Sequence, residues 1–222
     1  MLYIIGSVVL ALSVIVMGAG LTAAGGPGRV TAPPNQVAVG VLLYLLAGFA
    51  LAMVPVVFWP IGKRYSETLA MGYVVFRGAI ETILYIAMVL GSLLLIALDT
   101  QPDSAPLASF VNTTVAVIGN QLSAIPFALG ALMFSFLLFR SRLVPRWLSV
   151  WGLVAAALYI VPPIGNMFGL SLGILMAPTA VQEMVMAVWL IAKGFNPRAV
   201  ASAPAIATAP AIEPSRAAAG AL

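Results

Sequence analysis

The sequence contains neither cysteine nor histidine, and only 7% of its 222 residues are charged. Without cysteine the chain has no disulfide and no thiol nucleophile. Without histidine it has no imidazole for acid–base catalysis or for binding haem and most transition metals. We therefore expect no metal site, no cofactor and no catalytic residue of these kinds. Six acidic residues are present, and only Glu81 and Glu183 lie inside apolar segments.

Hydrophobic residues make up 63% of the chain, a composition far from that of soluble domains, in which about a quarter of the residues are charged. It predicts an all-α, polytopic membrane protein whose first partner is the lipid bilayer. The ten basic residues are isolated or in short clusters, which does not indicate nucleic-acid binding. The expected location is the inner, or plasma, membrane of the cell.

Six apolar segments are long enough to cross a hydrocarbon core of about 30 Å as helices. They are residues 2–24, 36–60, 70–98, a fourth within 105–139, 147–167 and 170–195. The first lacks the basic start of a signal peptide, so we interpret it as a span. Residues 105–139 exceed one straight crossing, which predicts a polar helix to about Gly119 and then a span kinked at Pro126.

The basic loops fix the predicted orientation of a six-span bundle. Lys63 with Arg64, the cluster at 140–146, and Lys193 with Arg198 all fall on one side. On the other side Arg29 is the one basic residue, and it lies with Asp99 and Asp103. Because cytoplasmic loops carry the excess of Lys and Arg, both termini are predicted to be cytoplasmic. Residues 197–222 are rich in alanine and proline and predict a disordered tail after a helical domain at 1–196.

A polar stripe interrupts the third span. Tyr73, Arg77, Glu81 and Tyr85 recur at every fourth residue and therefore share one helix face. A charge facing lipid at mid-helix costs about 2.5 to 3.5 kcal/mol, so this face is expected to contact protein or water.

The second intramembrane glutamate is predicted to lie at the same depth in the bilayer as the first. Counting from the cytoplasmic ends of their spans, Glu81 lies about 14 Å deep and Glu183 about 15 Å deep. The sequence therefore predicts one buried polar cluster near the bilayer midplane. Its members are Tyr73, Arg77, Glu81, Tyr85, Gln182 and Glu183.

Two interpretations of this cluster stay open. It is either a structural clamp that ties the third span to the sixth, or a functional site in a water-reached cavity on an ion or substrate path. Asn120, Gln121 and Asn166, each about 28 Å from the cytoplasmic ends of their spans, form a second predicted group. This group is either an outer vestibule or ordinary interfacial polarity.

Three segments together resemble a known family: LAMGYVVFRGAIET, FRSRLVPRWLSVWGL and VQEMVMAVWLIAKGFNP. They are similar to motifs of the bacterial six-helix membrane proteins described as domain of unknown function four-three-eight-six. The resemblance covers the chain up to about Pro197 and implies that Arg77, Glu81 and Glu183 are motif positions. It implies no established activity.

The sequence thus predicts a multi-pass membrane protein of unestablished activity. The alternatives are a carrier for a small solute or for protons, and a scaffold or accessory subunit of a membrane complex. A homo-oligomer is a further partner class that the sequence leaves open. An enzyme is the least favoured, because only the carboxylate pair would be available for its chemistry.

Overall fold

The computed structural model describes residues 2–21, 33–101 and 103–202, and their regular structure is helical throughout. Two segments of π-helix, π1 and π2, lie within longer helical stretches. The elements are α1 (Leu2–Leu21), α2 (Pro34–Gly62), α3 (Glu67–Tyr73), π1 (Val74–Ile80), α4 (Glu81–Asp99), α5 (Ala105–Val117), π2 (Ile118–Leu122), α6 (Ala124–Ser141), α7 (Arg146–Tyr159), α8 (Val161–Met167), a 3-10 turn (Gly173–Met176), α9 (Ala177–Ala192) and α10 (Pro197–Ala201).

Five helical stretches of the described chain are long and apolar enough to cross a membrane, and α1 contains the shorter apolar stretch Ile4–Ser13. The five correspond in order to the second to sixth predicted spans. They are Asn35–Gly62, Glu67–Asp99, Ala105–Ser141, Arg146–Met167 and Gly173–Ala192. Many large apolar side chains on these stretches face outward, as expected when the surrounding solvent is lipid. The all-helical, membrane-embedded class predicted from composition is therefore confirmed.

The bundle is built from pairs of neighbouring helices. α1 packs along α2, α2 packs against α4, and α6 packs against α7, which in turn contacts α9. The third stretch thus passes between α2 on one side and α6 on the other, because α3 and π1 both contact these two helices. This arrangement places the predicted polar stripe inside the bundle.

The third stretch is not the uninterrupted α-helix that the every-fourth-residue pattern predicts. Ser66 caps its start by accepting a hydrogen bond from the backbone N–H of Leu69 at 3.4 Å, and the helix then widens into π1. π-helical turns are rare and occur frequently at functional sites. Arg77 lies inside π1, and Glu81 is the first residue of α4.

The fourth stretch widens earlier than predicted. The sequence predicts a kink at Pro126, whereas the structure changes to π-helix over Ile118–Leu122 and returns to α-helix at Ala124. There the N–H of Ser123 donates to the carbonyl of Ile118, five residues earlier, at 2.9 Å. Proline is tolerated in the first turn of a helix, which is where Pro126 lies in α6. The π-helical segment therefore ends before Pro126, and the helix is α-helical again at the proline.

The predicted tail begins with a short helix, whereas the sequence predicts disorder from residue 197. Pro197–Ala201 forms α10, in which Ala199 is buried against the bundle. The hydroxyl of Tyr65 donates to the carbonyl of Ala199 at 2.6 Å, and the N–H of Asn196 donates to the carbonyl of Leu143 at 2.8 Å. These long-range bonds hold α10 beside the basic loops. The rest of the predicted tail, 203–222, lies outside the described residues.

Candidate functional site

The centre of the candidate site is an ion pair within the third stretch. A guanidinium nitrogen of Arg77, Nη1, pairs with Oε1 of Glu81, one turn further along the same helix. The two side chains are only 5% and 2% exposed. Two oppositely charged groups this deeply buried must hold each other, because leaving either one alone in a low-dielectric interior is strongly unfavourable.

Arg77 also reaches across the bundle in two directions. Its Nη2 lies 4.0 Å from Oε1 of Glu183 on α9, a side chain that is 20% exposed. Its guanidinium carbon lies 4.4 Å from the ring centroid of Phe127 on α6, within the range of a cation–π interaction. One arginine therefore connects three helical stretches, and each of the two predicted glutamates lies nearest a different one of its terminal nitrogens.

Glu81 is incompletely satisfied. Its Oε1 accepts hydrogen bonds from Arg77 and from the hydroxyl of Tyr85, whereas its Oε2 is buried without a hydrogen-bond partner among the described residues. A buried carboxylate oxygen without a partner is costly, and such an atom usually has an explanation in water, an ion or a proton.

Tyr73 and Gln182 lie on the other side of Arg77. Tyr73 is buried and stacks on Phe134 with ring centroids 4.7 Å apart. Gln182, also buried, donates from Nε2 to the carbonyl of Leu148 at 3.5 Å. The structure therefore brings all six predicted members of the polar cluster into one region of the bundle, with Arg77 between Tyr73 and Glu81 along the chain.

Two glycines make room for these side chains. A Cβ at Gly130 would lie 3.1 Å from the Cβ of Arg77 and 3.3 Å from its backbone nitrogen. A Cβ at Gly152 would lie 3.0 Å from Nε2 of Gln182 and 2.6 Å from Oγ of Ser135. Small residues let membrane helices approach closely. α6 and α7 thus carry glycine where the polar cluster needs space.

Two cavities meet at the cluster. The Tyr73 cavity, of about 80 Å³, is lined by Tyr73, Phe134, Ser135, Gln182 and Leu190 among others. The Glu81 cavity, of about 150 Å³, is lined by Glu81, Tyr85, Ser123, Phe127 and Tyr159 among others. Three residues line both cavities: Arg77, Thr179 and Glu183.

The cavities lie on opposite sides of this shared boundary. Along the third stretch, Tyr73 precedes Arg77 and lines only the first cavity, while Glu81 follows and lines only the second. Along α9 the order is reversed, because Ala180 precedes Glu183 and Leu190 follows it. The third stretch and α9 run in opposite directions in the predicted topology. Both residue orders therefore place the Tyr73 cavity on one side of Arg77 and Glu183, and the Glu81 cavity on the other side. Arg77 and Glu183 therefore separate two spaces, each large enough for water.

The second predicted polar group also converges. Asn120 and Gln121 in π2 and Asn166 in α8 line one cavity of about 320 Å³, and we call it the amide cavity. Asn120 and Asn166 are exposed and Gln121 is half-buried. The grouping fits both predicted interpretations, an outer vestibule and interfacial polarity, and it shares no lining residue with the Glu81 cavity.

The cluster suits the binding of one positive charge. If both glutamates are ionised, one guanidinium leaves one negative charge in excess, and a single proton or monovalent cation would neutralise it. Among the described residues, no group of three acidic side chains lies close enough to hold a metal ion. The chemistry that the arrangement supports is therefore charge binding at a boundary between two cavities.

Sequence reasoning missed three residues of this site. Phe127 contacts Arg77, Thr179 donates to the carbonyl of Ala155 at 2.9 Å, and Tyr159 lines the Glu81 cavity. Thr179 and Tyr159 carry a usable signal, since both are polar groups inside apolar segments. Phe127 carries none, because an aromatic ring in an apolar helix is ordinary.

Comparison with known proteins gives one family and no closer relative. The family described as Domain of unknown function (DUF4386) matches residues 1–194, which is most of the chain. No match to the sequence was found among curated proteins or among solved structures. The match spans the first two motif segments, the third as far as Gly194, and all the cluster residues named above. The chain is therefore a member of the DUF4386 family of proteins.

Proposed function

We propose that this protein is a bacterial inner-membrane carrier for protons, alone or together with a small solute, and that Arg77 and Glu183 form the barrier of its path. The observation that carries the proposal is the pair of cavities that share Arg77, Thr179 and Glu183. A path across a membrane needs water or solute access from both sides and a closed point between them. A structural clamp needs neither cavity.

The topology that we propose has six spans, with α1 as the first and both termini in the cytoplasm. This arrangement puts the basic loops on the cytoplasmic side, in agreement with the excess of Lys and Arg found in such loops. The Tyr73 cavity then lies toward the cytoplasm, because Leu190 is near the basic end of α9. The Glu81 cavity lies toward the outer face.

Charge supports protons as the coupled species. Ionisable residues in membrane spans often mark ion paths and proton relays, and they pair with one another or with backbone carbonyls. Glu81 carries an oxygen without a hydrogen-bond partner among the described residues, and that carboxyl borders a cavity. A proton bound to Oε2 of Glu81 would convert that oxygen into a hydroxyl group, which can donate a hydrogen bond.

Infrared titration tests the proposal without knowledge of the solute. In reconstituted protein we expect a carboxyl band that titrates with pH and disappears in Glu81→Gln or Glu183→Gln. Glu67→Gln is the matched control, since Glu67 is exposed at the start of α3 and outside both cavities. A spectrum without a titrating carboxyl from Glu81 or Glu183 would favour the structural clamp, and with it a scaffold or accessory subunit.

A further inference from the structure

A basic cavity lies at the opposite end of α9 from the amide cavity. It measures about 400 Å³ and is formed where the loop between α6 and α7 meets the end of α9 and the start of α10. Arg142, Arg146 and Lys193 line it together with Trp189, and no acidic residue does. The three cations are exposed, and none forms a salt bridge within the described residues. Their charge is thus available to an anion.

Aromatic side chains place this cavity at the depth of lipid headgroups. The ring of Trp189 lies 6.1 Å from that of Trp147, which lies 6.4 Å from that of Trp151. Tryptophan is enriched at the membrane–water interface, where its amphipathic ring sits among the headgroups. Trp147 and the neighbouring Val150 are exposed on the outer surface of α7, and Trp147 packs against Trp189, which lines the cavity. An exposed apolar surface of α7 therefore lies beside the basic cavity.

The backbone is left-handed at two residues that line this cavity. Two helices end at it in the left-handed conformation: α9 is followed by Gly194, with φ of 67°, and α6 by Arg142, with φ of 53°. Glycine is the usual residue in that conformation, because a side chain makes it less favourable. The chain thus places an arginine side chain at the cavity where glycine would fit the backbone better.

From these observations we propose that the basic cavity binds the phosphate-bearing headgroup of an anionic membrane lipid, with its acyl chains lying along Trp147 and α7. Basic pockets between membrane helices recognise such headgroups through charge and hydrogen bonds. Positive loop charge alone would explain the cations but not their convergence from two helix ends on one cavity. A free phosphate has the same charge but no use for the adjoining apolar surface.

The test is lipid binding to the detergent-purified full chain, measured by native mass spectrometry. The probes are phosphatidylglycerol and, as a zwitterionic comparison, phosphatidylcholine with the same acyl chains. Wild type is expected to retain one phosphatidylglycerol in preference to phosphatidylcholine. At about 1 kcal/mol for each Lys or Arg, Arg142→Gly with Lys193→Gln is expected to weaken this binding roughly 30-fold.

The variants are chosen so that failure to fold cannot imitate the result. Arg142→Gly suits the left-handed backbone and should fold at least as well as wild type. Lys63→Gln with Arg140→Gln is the matched control, because it removes the same charge from the same end of the bundle outside the cavity. We expect the control to lose less than about threefold, since neither residue lines the cavity and salt screens charges that lie farther from the headgroup.

Three results would overturn the proposal. The first is equal binding of the two lipids to wild type, and the second is an equal loss of binding in the control variant. The third is displacement of phosphatidylglycerol by millimolar inorganic phosphate or glycerol 3-phosphate, which would assign the cavity to a soluble phosphate compound.

Discussion

Replacing Arg77 by methionine tests how much the bundle depends on its buried ion pair. The substitution keeps an unbranched apolar stem of similar length but leaves the carboxylate of Glu81, 2% exposed, without its cationic partner. Removing one member of a buried pair costs about 3 to 5 kcal/mol, because the remaining charge stays uncompensated. Glu183 also loses the guanidinium that lies 4.0 Å from it. We therefore expect Arg77→Met to lower the free energy of unfolding by about that amount.

Replacing Glu81, the other member of the ion pair, should lower the free energy of unfolding by a smaller amount. In Glu81→Gln the side-chain carbonyl oxygen still accepts from Arg77 and Tyr85, and the carboxylate of Glu183 remains 4.0 Å from the guanidinium, so the main loss is the charge assistance of these hydrogen bonds. This loss is worth about 1 kcal/mol. In Arg77→Met with Glu81→Gln no buried charge is stranded at position 81, so we expect the double variant to be more stable than Arg77→Met alone.

Equilibrium unfolding in mixed detergent–SDS micelles, followed by far-ultraviolet circular dichroism, measures these differences. Arg140→Met is the control, because Arg140 is exposed at the end of α6 and should change stability by less than about 0.5 kcal/mol. The reasoning is refuted if Arg77→Met behaves like the control, or if the two single substitutions add without coupling.

The remaining predictions concern packing and the end of the chain. Gly130→Ala places a Cβ 3.1 Å from that of Arg77 and should destabilise the fold by about 1 to 3 kcal/mol, whereas Gly173→Ala, with nothing within 4 Å, should be tolerated. Thermal unfolding of the pair in detergent checks this, and equal melting temperatures would contradict it. Tyr65→Phe removes the 2.6 Å hydrogen bond to Ala199 and should cost about 0.5 to 1.5 kcal/mol, with faster proteolysis at α10 than in wild type. Burial raises the pKa of the Tyr65 hydroxyl above 10.0. The stabilising effect of the neutral hydroxyl is therefore present below about pH 10 and lost as the pH rises through the higher folded-state value, and Tyr65→Phe should abolish this dependence. A protease-cleavage rate at α10 that is the same in both proteins would show that the bond does not hold the helix.

Local geometry explains why the core of the site could be predicted from the sequence. Residues four apart on a helix are neighbours, so the spacing predicts that Arg77 and Glu81 lie together, and the structure places them in contact. The helix rise per residue predicts that Glu81 and Glu183 lie at equal depth in their spans. In the structure Glu183 lies 4.0 Å from Arg77. Both inferences depend only on regular helix geometry and on the cost of exposing charge to lipid.

The π-helical segments could not be predicted in this way. π1 and π2 have no compositional signature that separates VVFRGAI or IGNQL from an ordinary helix. They lie where stretches distant in sequence pack together, as Gly130 of α6 does against Arg77 of π1. The two cavities have the same origin, since they are spaces left by packing between stretches that are distant in sequence.

Amino-acid composition also could not predict that α10 is an ordered helix. Alanine and proline are typical of disordered tails, yet Pro197–Ala201 is held by a tyrosine hydroxyl from a loop more than a hundred residues earlier. Short segments of low complexity become ordered when a few such bonds and some burial compensate for the lost conformational freedom. No property of residues 197–201 alone indicates this contact.

Two-sided access to the cluster is the most direct test of the central claim, that Arg77 and Glu183 separate two water-reached cavities. The chain has no cysteine, so single cysteines can be introduced without further changes. Ser135→Cys reports on the Tyr73 cavity, Ser123→Cys reports on the Glu81 cavity, and Leu90→Cys, 61% exposed, is the lipid-facing control.

The measurement is the rate of labelling by a small, charged, membrane-impermeant thiol reagent added to one face of sealed vesicles at a time. We expect Ser135→Cys to react from the face that carries the basic loops, Ser123→Cys to react from the opposite face, and Leu90→Cys to react from neither. If both serine positions react from the same face, or react as slowly as Leu90→Cys, the cluster does not separate two aqueous spaces and the proposed path does not exist.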